Sequence, residues 1–256
     1  MDLIPQIKEK AKEIGVTAQD NFWNYLTKAT QTLPHIVGNE VVIATIVPMI
    51  PSLIYDSVKQ KLLEKHVPDL GNRLSAEEST LNFEFIHSLE GRKLFQETIS
   101  QILEQTSEDK IEFYKKLLIN AYTLPDPDIE LIISYKRILD TLQITDIVIL
   151  KNLHSPNYVC RKILENNKTH GGNMVNFDLR NHMWKVLNID ERLFQKLLIK
   201  LESDNLIHEE SSDRSWPKGG YRLHDLEEGV RNMSAGAHNI LTDYGLGFIQ
   251  FIVTEK

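Results

Sequence analysis

The stretch that decides the fold is Asp190-Glu-Arg-Leu-Phe-Gln-Lys-Leu-Leu-Ile-Lys-Leu-Glu-Ser-Asp204, followed at once by Asn205-Leu-Ile-His208. Its apolar residues recur at helical spacing and predict an amphipathic helix; they are Leu193, Phe194, Leu197, Leu198 and Leu201. The opposite face carries polar and cationic residues and one isoleucine, namely Arg192, Gln195, Lys196, Ile199 and Ser203, with Lys200 at its flank. Asn188 with Glu191 offers a capping arrangement at the start. Asn205 tolerates the left-handed backbone and marks the exit.

The residues around this helix extend the pattern in both directions. A helix is expected over 177–188, and a polar linker over 167–173 precedes it. After the helix come a short apolar step at 205–208, a polar loop with two glycines at 211–220 and the extended-looking Tyr221-Arg-Leu-His224. The apolar end of 239–253 predicts a closing helix. Helix-turn-helix, strand, loop, strand and helix together predict a winged helix.

Two short motifs give this half a family resemblance. The helix exit Leu201-Glu-Ser-Asp-Asn-Leu-Ile207, and the ending Ile240-Leu-Thr-Asp-Tyr-Gly245 with Phe248-Ile-Gln-Phe-Ile252, resemble regulators of the multiple-antibiotic-resistance type. The resemblance covers residues 144–256 and implies a C-terminal α+β winged-helix domain there. It does not imply DNA binding, because winged helices also serve as protein-interaction modules.

The partner of this domain is left open between protein and duplex DNA. A protein contact is favoured, because Asp190 and Glu191 lie at the helix end that would approach phosphates. The start of the predicted wing also carries negative charge, from Glu209, Glu210 and Asp213. The expected contact residues are the same for either partner: Arg192, Gln195, Lys196 and Lys200 on the helix, and Arg214, Trp216, Lys218 and Arg222 on the wing.

Residues 1–143 predict an all-helical domain around an unusual segment at 33–55. Its run Val41–Tyr55 has no charged residue, but it is only 15 residues long and contains Pro48 and Pro51. A spanning helix needs roughly 20 apolar residues. We expect a buried, proline-kinked helix. The alternative is conditional membrane contact through the apolar residues of this run: Val42, Ile43, Ile46, Val47 and Ile50.

Start and stop signals divide the front domain into helices. Helix starts are expected at Ser75, which with Glu78 forms a capping box, and at Ser107 and Asp126-Pro127. Thr145 is the expected cap of the helix that opens the second domain. The helix before residue 72 is expected to close at Pro68 and Gly71. Short connections between such helices indicate antiparallel neighbours.

A second resemblance concerns this helical front. The segments Lys115-Lys-Leu-Leu-Ile-Asn-Ala121, Tyr135-Lys-Arg-Ile-Leu-Asp-Thr-Leu142 and Asp146-Ile-Val-Ile-Leu-Lys-Asn-Leu-His-Ser-Pro156 resemble the bacterial abortive-infection alpha proteins. Those helical proteins are associated with defence against phage. The resemblance covers residues 30–160 and implies a defence role, without assigning any functional residue.

The charge distribution and the absence of several known motifs argue against some classes of function. The net charge is -7, and residues 1–150 hold 15 Lys and Arg against 22 Asp and Glu, which opposes broad nucleic-acid contact. Phosphate-binding glycine loops, dinucleotide fingerprints, zinc-helix motifs and nucleophile elbows are missing from the sequence. His224-Asp225 fits a strand end better than a metal site. Cys160, the one cysteine, fits a small apolar residue in a helix and a reducing cytoplasm.

The sequence therefore predicts a mainly α protein, with an all-helical array at 1–143 and a winged-helix domain at 144–256. The expected function is that of a non-enzymatic, cytoplasmic bacterial defence-type or regulatory protein without cofactor or metal. Peripheral contact with the inner membrane is left open, and a homo-oligomer is compatible with the sequence. The alternative is a transcriptional regulator that binds duplex DNA.

Overall fold

The structure is a computed structural model, and it describes residues 3–13, 56–155, 157–168, 174–208, 218–222 and 240–253, with isolated positions at 24, 27, 45, 46, 49, 230 and 237. The chain divides into two compact units. The first comprises Met1–Asp140 together with Glu255–Lys256, and the second comprises Thr141–Thr254. Most described residues are helical, which confirms the mainly α class.

The described part of the first unit consists of helices. They are α1 (Leu3–Glu13), α2 (Ser57–Ala76), α3 (Phe83–His87), α4 (Leu89–Glu104), α5 (Glu108–Thr123) and α6 (Ile129–Thr141), with a 3-10 turn at Glu78–Thr80. Helix α4 packs against α2, α3 and α5. Fully buried Tyr114 and Tyr122 of α5 and Phe95 of α4 are the largest side chains of this core.

Helix α2 is longer than its sequence predicts. It runs through Pro68 to Ala76, so the predicted stop at Pro68 and Gly71 is wrong. Proline removes one backbone hydrogen bond. However, Leu63, Val67, Leu70 and Leu74 form one continuous buried stripe that spans the proline. Burial of this stripe offsets the lost bond, because each such side chain contributes about 1.5–3 kcal/mol.

The predicted helix starts are confirmed at one position and corrected at three. Ser107 accepts a hydrogen bond from the Lys110 N–H at 3.4 Å and caps α5. The capping box at Ser75 is wrong, because Ser75 lies inside α2. Asp128, and not Asp126, accepts from the third residue of its helix, at 3.0 Å. Gln143, and not Thr145, is the N-cap of the helix that follows.

Three residues of the 33–55 segment are described, and all three are buried. Thr45, Ile46 and Met49 are 1%, 2% and 8% exposed. Val42, Ile43, Val47 and Ile50 lie outside the described residues. Among the described helices, none combines the length and the apolar character needed to cross a membrane.

The second unit contains helices and a two-stranded antiparallel sheet. Its elements are α7 (Ile144–His154), α8 (Asn157–Lys168), β1 (Met174–Asp178), α9 (Leu179–Val186), α10 (Glu191–Ser203), β2 (Lys218–Arg222) and α11 (Asp243–Val253). Strand β1 pairs with β2 from Met174 opposite Arg222 to Asp178 opposite Lys218. Cys160 is fully buried in α8, as predicted.

Strand β1 was not predicted. The sequence indicates a helix from residue 177, but the last two residues of β1 occupy 177 and 178 and α9 begins at Leu179. Strand β2 also begins earlier than the predicted 221, and it includes both glycines of the loop. A strand exists only with a partner for its backbone hydrogen bonds. β1 and β2 are about 40 residues apart, so local periodicity could not reveal the pair.

Helix α10 agrees with its prediction except at its start. Asp190 is the N-cap, and its carboxylate accepts from the Leu193 N–H at 3.0 Å. Asn188 cannot be the cap predicted from Glu191, because it takes a positive φ of 54° in the preceding turn. Asn205 has φ 58°, which confirms the left-handed exit.

The chain after α10 is tied to the start of α11. Ile207 forms a bridge with Leu241, and the His208 N–H donates to the Ile240 carbonyl at 2.9 Å. Gly245 lies so close to the turn that follows α10 that an added Cβ would overlap the Leu206 carbonyl oxygen. Helix α11 in turn packs against α7.

Candidate functional site

Helix α10 divides into a buried stripe and an outer face. Phe194, Leu197, Leu198 and Leu201 are buried, which confirms most of the predicted apolar stripe. The placement of Leu193 in that stripe is wrong, because its side chain is 44% exposed. Position 193 lies at the border of the buried stripe, next to buried Phe194. The outer face is thus more apolar than the sequence prediction allows.

The centre of the outer face is formed by Arg192, Lys196 and Ile199. These three residues recur four and three positions apart, so their side chains share one side of the helix. All three are exposed, and Ile199 is 62% exposed. Within the described part of the chain, neither Arg192 nor Lys196 forms an ion pair. We call these three residues, together with the exposed Leu193 at their border, the outer face of α10.

Lys200, one turn beyond Lys196, is held inside the unit. Its ammonium lies 2.6 Å from the Asp146 carboxylate of α7 and donates to the Thr141 carbonyl at 2.9 Å. The Asp146 side chain is fully buried and also accepts from the Gln143 N–H at 2.7 Å. A charge-assisted bond to a buried carboxylate fixes both partners. Lys200 therefore anchors α10 to α7, and its charge is already compensated.

Gln195 is also engaged within the unit. Its side-chain oxygen accepts from the Arg180 guanidinium of α9. This bond ties α9 to α10, the two helices of the predicted helix-turn-helix. Of the four contact residues predicted on α10, Gln195 and Lys200 are thus bound within the unit, whereas Arg192 and Lys196 form no ion pair with a described residue.

The N-terminal end of α10 carries negative charge. Asp190 caps the helix, and Glu191 lies in its first turn. Both carboxylates stabilise the positive end of the helix dipole. A phosphate that approached this end would meet them first. On the preceding helix, the Lys185 ammonium lies 5.1 Å from the centroid of the Trp184 ring and adds a cation to the same unit.

The predicted wing residues are described only in part. Lys218 and Arg222 occupy the two ends of β2, opposite Asp178 and Met174. Their side chains, and the whole of Arg214 and Trp216, lie outside the described residues. Ile199 is the exposed residue of this side of α10 that the predicted contact set left out. Its position seven residues after Arg192 on the polar face was the available signal.

Described helices of the first unit line two surface clefts. One, of about 320 Å³, is lined by side chains of α2 and α5 that include Arg73, Lys116 and Asn120. The other, of about 400 Å³, is lined by α4 and α6 and includes Leu89, Glu97 and Lys136. In each cleft a lining cation is already paired, since Arg73 lies 2.8 Å from Glu112 and Lys136 lies 3.3 Å from Glu97. Each lining carries a formal excess of only one positive charge, with two cations and one carboxylate in the first cleft and three cations and two carboxylates in the second.

Among the described residues, no group of three or more His, Cys, Asp and Glu side chains is placed to hold a metal ion. Comparisons with protein-family models, with curated proteins and with solved structures find no match for this chain.

Proposed function

We propose that the second unit is a winged-helix interaction module that binds a protein partner through the outer face of α10. The chain as a whole would be a non-enzymatic bacterial defence-type protein, similar to abortive-infection proteins, or a regulatory protein. The observation that carries the proposal is the exposed Ile199 beside Arg192 and Lys196, two cations that form no ion pair with any described residue.

The order of elements supports the winged-helix assignment. Helix α8 is followed by β1, then by the helix pair α9 and α10, and then by β2, which returns antiparallel to β1. In a winged helix the second helix of the pair presents its outer side to the partner. Here that helix is α10, and its other side is buried by the rest of the unit.

The composition of the outer face favours a protein partner. Ile199 and Leu193, at 62% and 44% exposed, place apolar surface beside the two cations. Protein interfaces combine an apolar centre with arginine and a polar rim. The partner that fits is an apolar surface bordered by carboxylates, because it would bury Ile199 and neutralise Arg192 and Lys196 together.

Duplex DNA is the second candidate partner. It is favoured by one observation, namely that Arg192 and Lys196 lie one turn apart on the exposed side of the second helix of the pair. Cations so placed can contact phosphates or guanine edges in the major groove. The carboxylates of Asp190 and Glu191 at the helix start weigh against it.

Site-specific photo-crosslinking in bacteria tests the protein partner. A photoreactive residue at position 199 is expected to capture a defined protein, and the same residue at exposed Glu84 of the first unit serves as the control. The captured protein is then purified and its affinity for the full chain measured. Ile199→Asp should weaken binding about thirtyfold or more, the effect of a central interface residue. Equal capture at both positions, or an unchanged affinity, would contradict the proposal.

A salt series with mixed-sequence duplex DNA tests the alternative. If DNA is the partner, the logarithm of the binding constant of the full chain should fall steeply with the logarithm of the salt concentration. Arg192→Glu with Lys196→Glu should then abolish binding, whereas Ile199→Asp should matter little. Absence of binding at low salt by the folded chain leaves the protein partner as the only candidate.

Conditional membrane contact by Val41–Tyr55 is a further part of the predicted function. The burial of Thr45, Ile46 and Met49 favours core packing for this run. Flotation of the full chain with anionic liposomes, beside an Ile43→Asp variant, tests the contact. Equal recovery of wild type and variant in the lipid-free fraction would rule out the contact under those conditions.

A further inference from the structure

A cluster of seven ionisable side chains joins α2 to α5 in the first unit. We call it the charged cluster. Its members are Lys65, His66, Asp69 and Arg73 from α2, and Glu108, Glu112 and Lys115 from α5. Three lysine or arginine cations face three carboxylates, so the cluster is electrically balanced while His66 is neutral.

Lys115 is the buried centre of this cluster. Its side chain is 2% exposed, and its ammonium lies 2.7 Å from Asp69 and 2.8 Å from Glu112. Arg73 contacts the same two carboxylates at 3.2 and 2.8 Å. Two cations thus share two carboxylates across the α2–α5 interface. Such close packing leaves little capacity for an additional positive charge.

His66 lies at the edge of this balanced group. Its imidazole is 2% exposed, and the buried ring atom Nε2 has no hydrogen-bond partner among the described residues. The closest carboxylate oxygen to Nε2 belongs to Glu108, at 3.5 Å, beyond an ordinary hydrogen bond. Glu108 itself is bound to Lys65 at 2.7 Å. A proton on His66 would therefore enter a buried site where the carboxylates that act on the imidazole, Glu108 and Glu112, are already paired with lysine or arginine side chains.

We propose that the charged cluster is an acid-sensitive joint: proton uptake by His66 adds a fourth cation to it and loosens α2 from α5. The groups that act on the imidazole are Lys65 on its own helix, and Glu108, Glu112 and Lys115 on α5. Helix α4 also packs against α2, but within the described residues it adds no ionisable group to this set.

The electrostatics of His66 agree with this role. Burial, followed by repulsion from Lys115, lowers the pKa of the imidazole from its ordinary value of 6.5, and attraction to Glu108 offsets this only in part. The unfolded chain therefore binds this proton more readily than the folded one. Above pH 6.5 the group has no effect on stability, and the folded state loses stability as the pH falls below 6.5.

The carboxylates of the cluster titrate in a lower range. Burial works to raise the pKa of Asp69, but its hydrogen bond and attraction to Lys115 and its contact with Arg73 hold that pKa below 3.8. The pKa of Glu112 is held below 4.5 by the same two cations, which likewise outweigh burial. Their stabilisation is present above these values and is lost in stronger acid. An opening between pH 6.5 and 5 is therefore assigned to the histidine.

Hydrogen exchange of the full chain tests the joint. The opening constant of the α2 amides, corrected for intrinsic exchange rates, should rise by up to about tenfold per pH unit between pH 6 and 5. His66→Phe, which cannot take up a proton, should remove this rise. His87→Gln is the matched control, because His87 is exposed in α3 and should leave the rise intact. The same rise in wild type and in His66→Phe would overturn the proposal.

A second measurement keeps the test decisive if His66→Phe does not fold. The imidazole of His66 in the wild-type chain can be titrated by NMR. We expect its midpoint below 6.5, together with increased exchange of α2 amides as it titrates. A midpoint at or above 6.5, or titration without any change in α2, would also overturn the proposal.

Discussion

The charged cluster of the first unit and the outer face of α10 in the second use the same residue types in opposite ways. In the cluster, Lys65, Arg73 and Lys115 each have a carboxylate within 2.8 Å. On the outer face, Arg192 and Lys196 have no such partner within the described residues. Cations of the first kind hold helices together, whereas cations of the second kind are available to another molecule. Lys200 shows that both kinds occur on one helix.

Replacing Lys200 by methionine should cause the largest loss of stability. The change leaves the fully buried Asp146 carboxylate without its cation. Breaking a buried pair from one side costs about 3–5 kcal/mol. The free energy of unfolding in urea measures it, with Lys196→Met, one turn earlier on the same helix, as the matched control. A loss below about 1 kcal/mol is typical of an exposed ion pair. It would mean that the bond to Asp146 does not hold Lys200 in place and that Lys200 is as available as Lys196.

Lys115→Met should have an intermediate effect. Asp69 and Glu112 are 42% and 34% exposed, so they can recover water and keep Arg73 when the ammonium is removed. We expect a loss of about 2 kcal/mol, less than for a fully buried partner. The control is Lys93→Met, since Lys93 is 71% exposed and 3.9 Å from its nearest carboxylate. If both variants unfold at the same urea concentration, the cluster contributes no net stability.

The smallest effect is expected on the outer face. Arg192→Ala and Lys196→Ala should each change the free energy of unfolding by less than about 0.5 kcal/mol, because neither side chain is paired with a described residue. Their effect should fall instead on the affinity for the partner. Thermal unfolding of both variants beside wild type checks the first statement. A clear destabilisation would mean that these residues serve the fold, and the contrast between the two regions would disappear.

Local signals made much of the helical structure predictable. The amphipathic pattern of 190–204 located α10 within one residue, and Asn205 was recognised as its exit because few residues accept a positive φ. Ser107 was found as a cap for a similarly local reason. These features depend on residues within one helical turn of each other, which is the range that sequence patterns cover.

Features that depend on distant residues were not predictable in this way. The Lys200–Asp146 pair joins residues 54 positions apart, so Lys200 looked as available as Lys196. The continuation of α2 through Pro68 depends on the packing of its buried stripe, which outweighs a strong local stop signal. Strand β1 needed β2 as its partner. In each case a tertiary contact decided between local alternatives.

Gly245 affects the orientation of α10, although it lies in a different helix. The first turn of α11 can lie directly over the Leu206 carbonyl only because Gly245 has no Cβ atom. A single methyl group there would displace the first turn of α11, and α11 packs on α7, which carries Asp146. Asp146 in turn holds Lys200 and thereby the angle of α10. The direction in which the outer face of α10 points thus depends on a glycine that lies about 50 residues further along the chain.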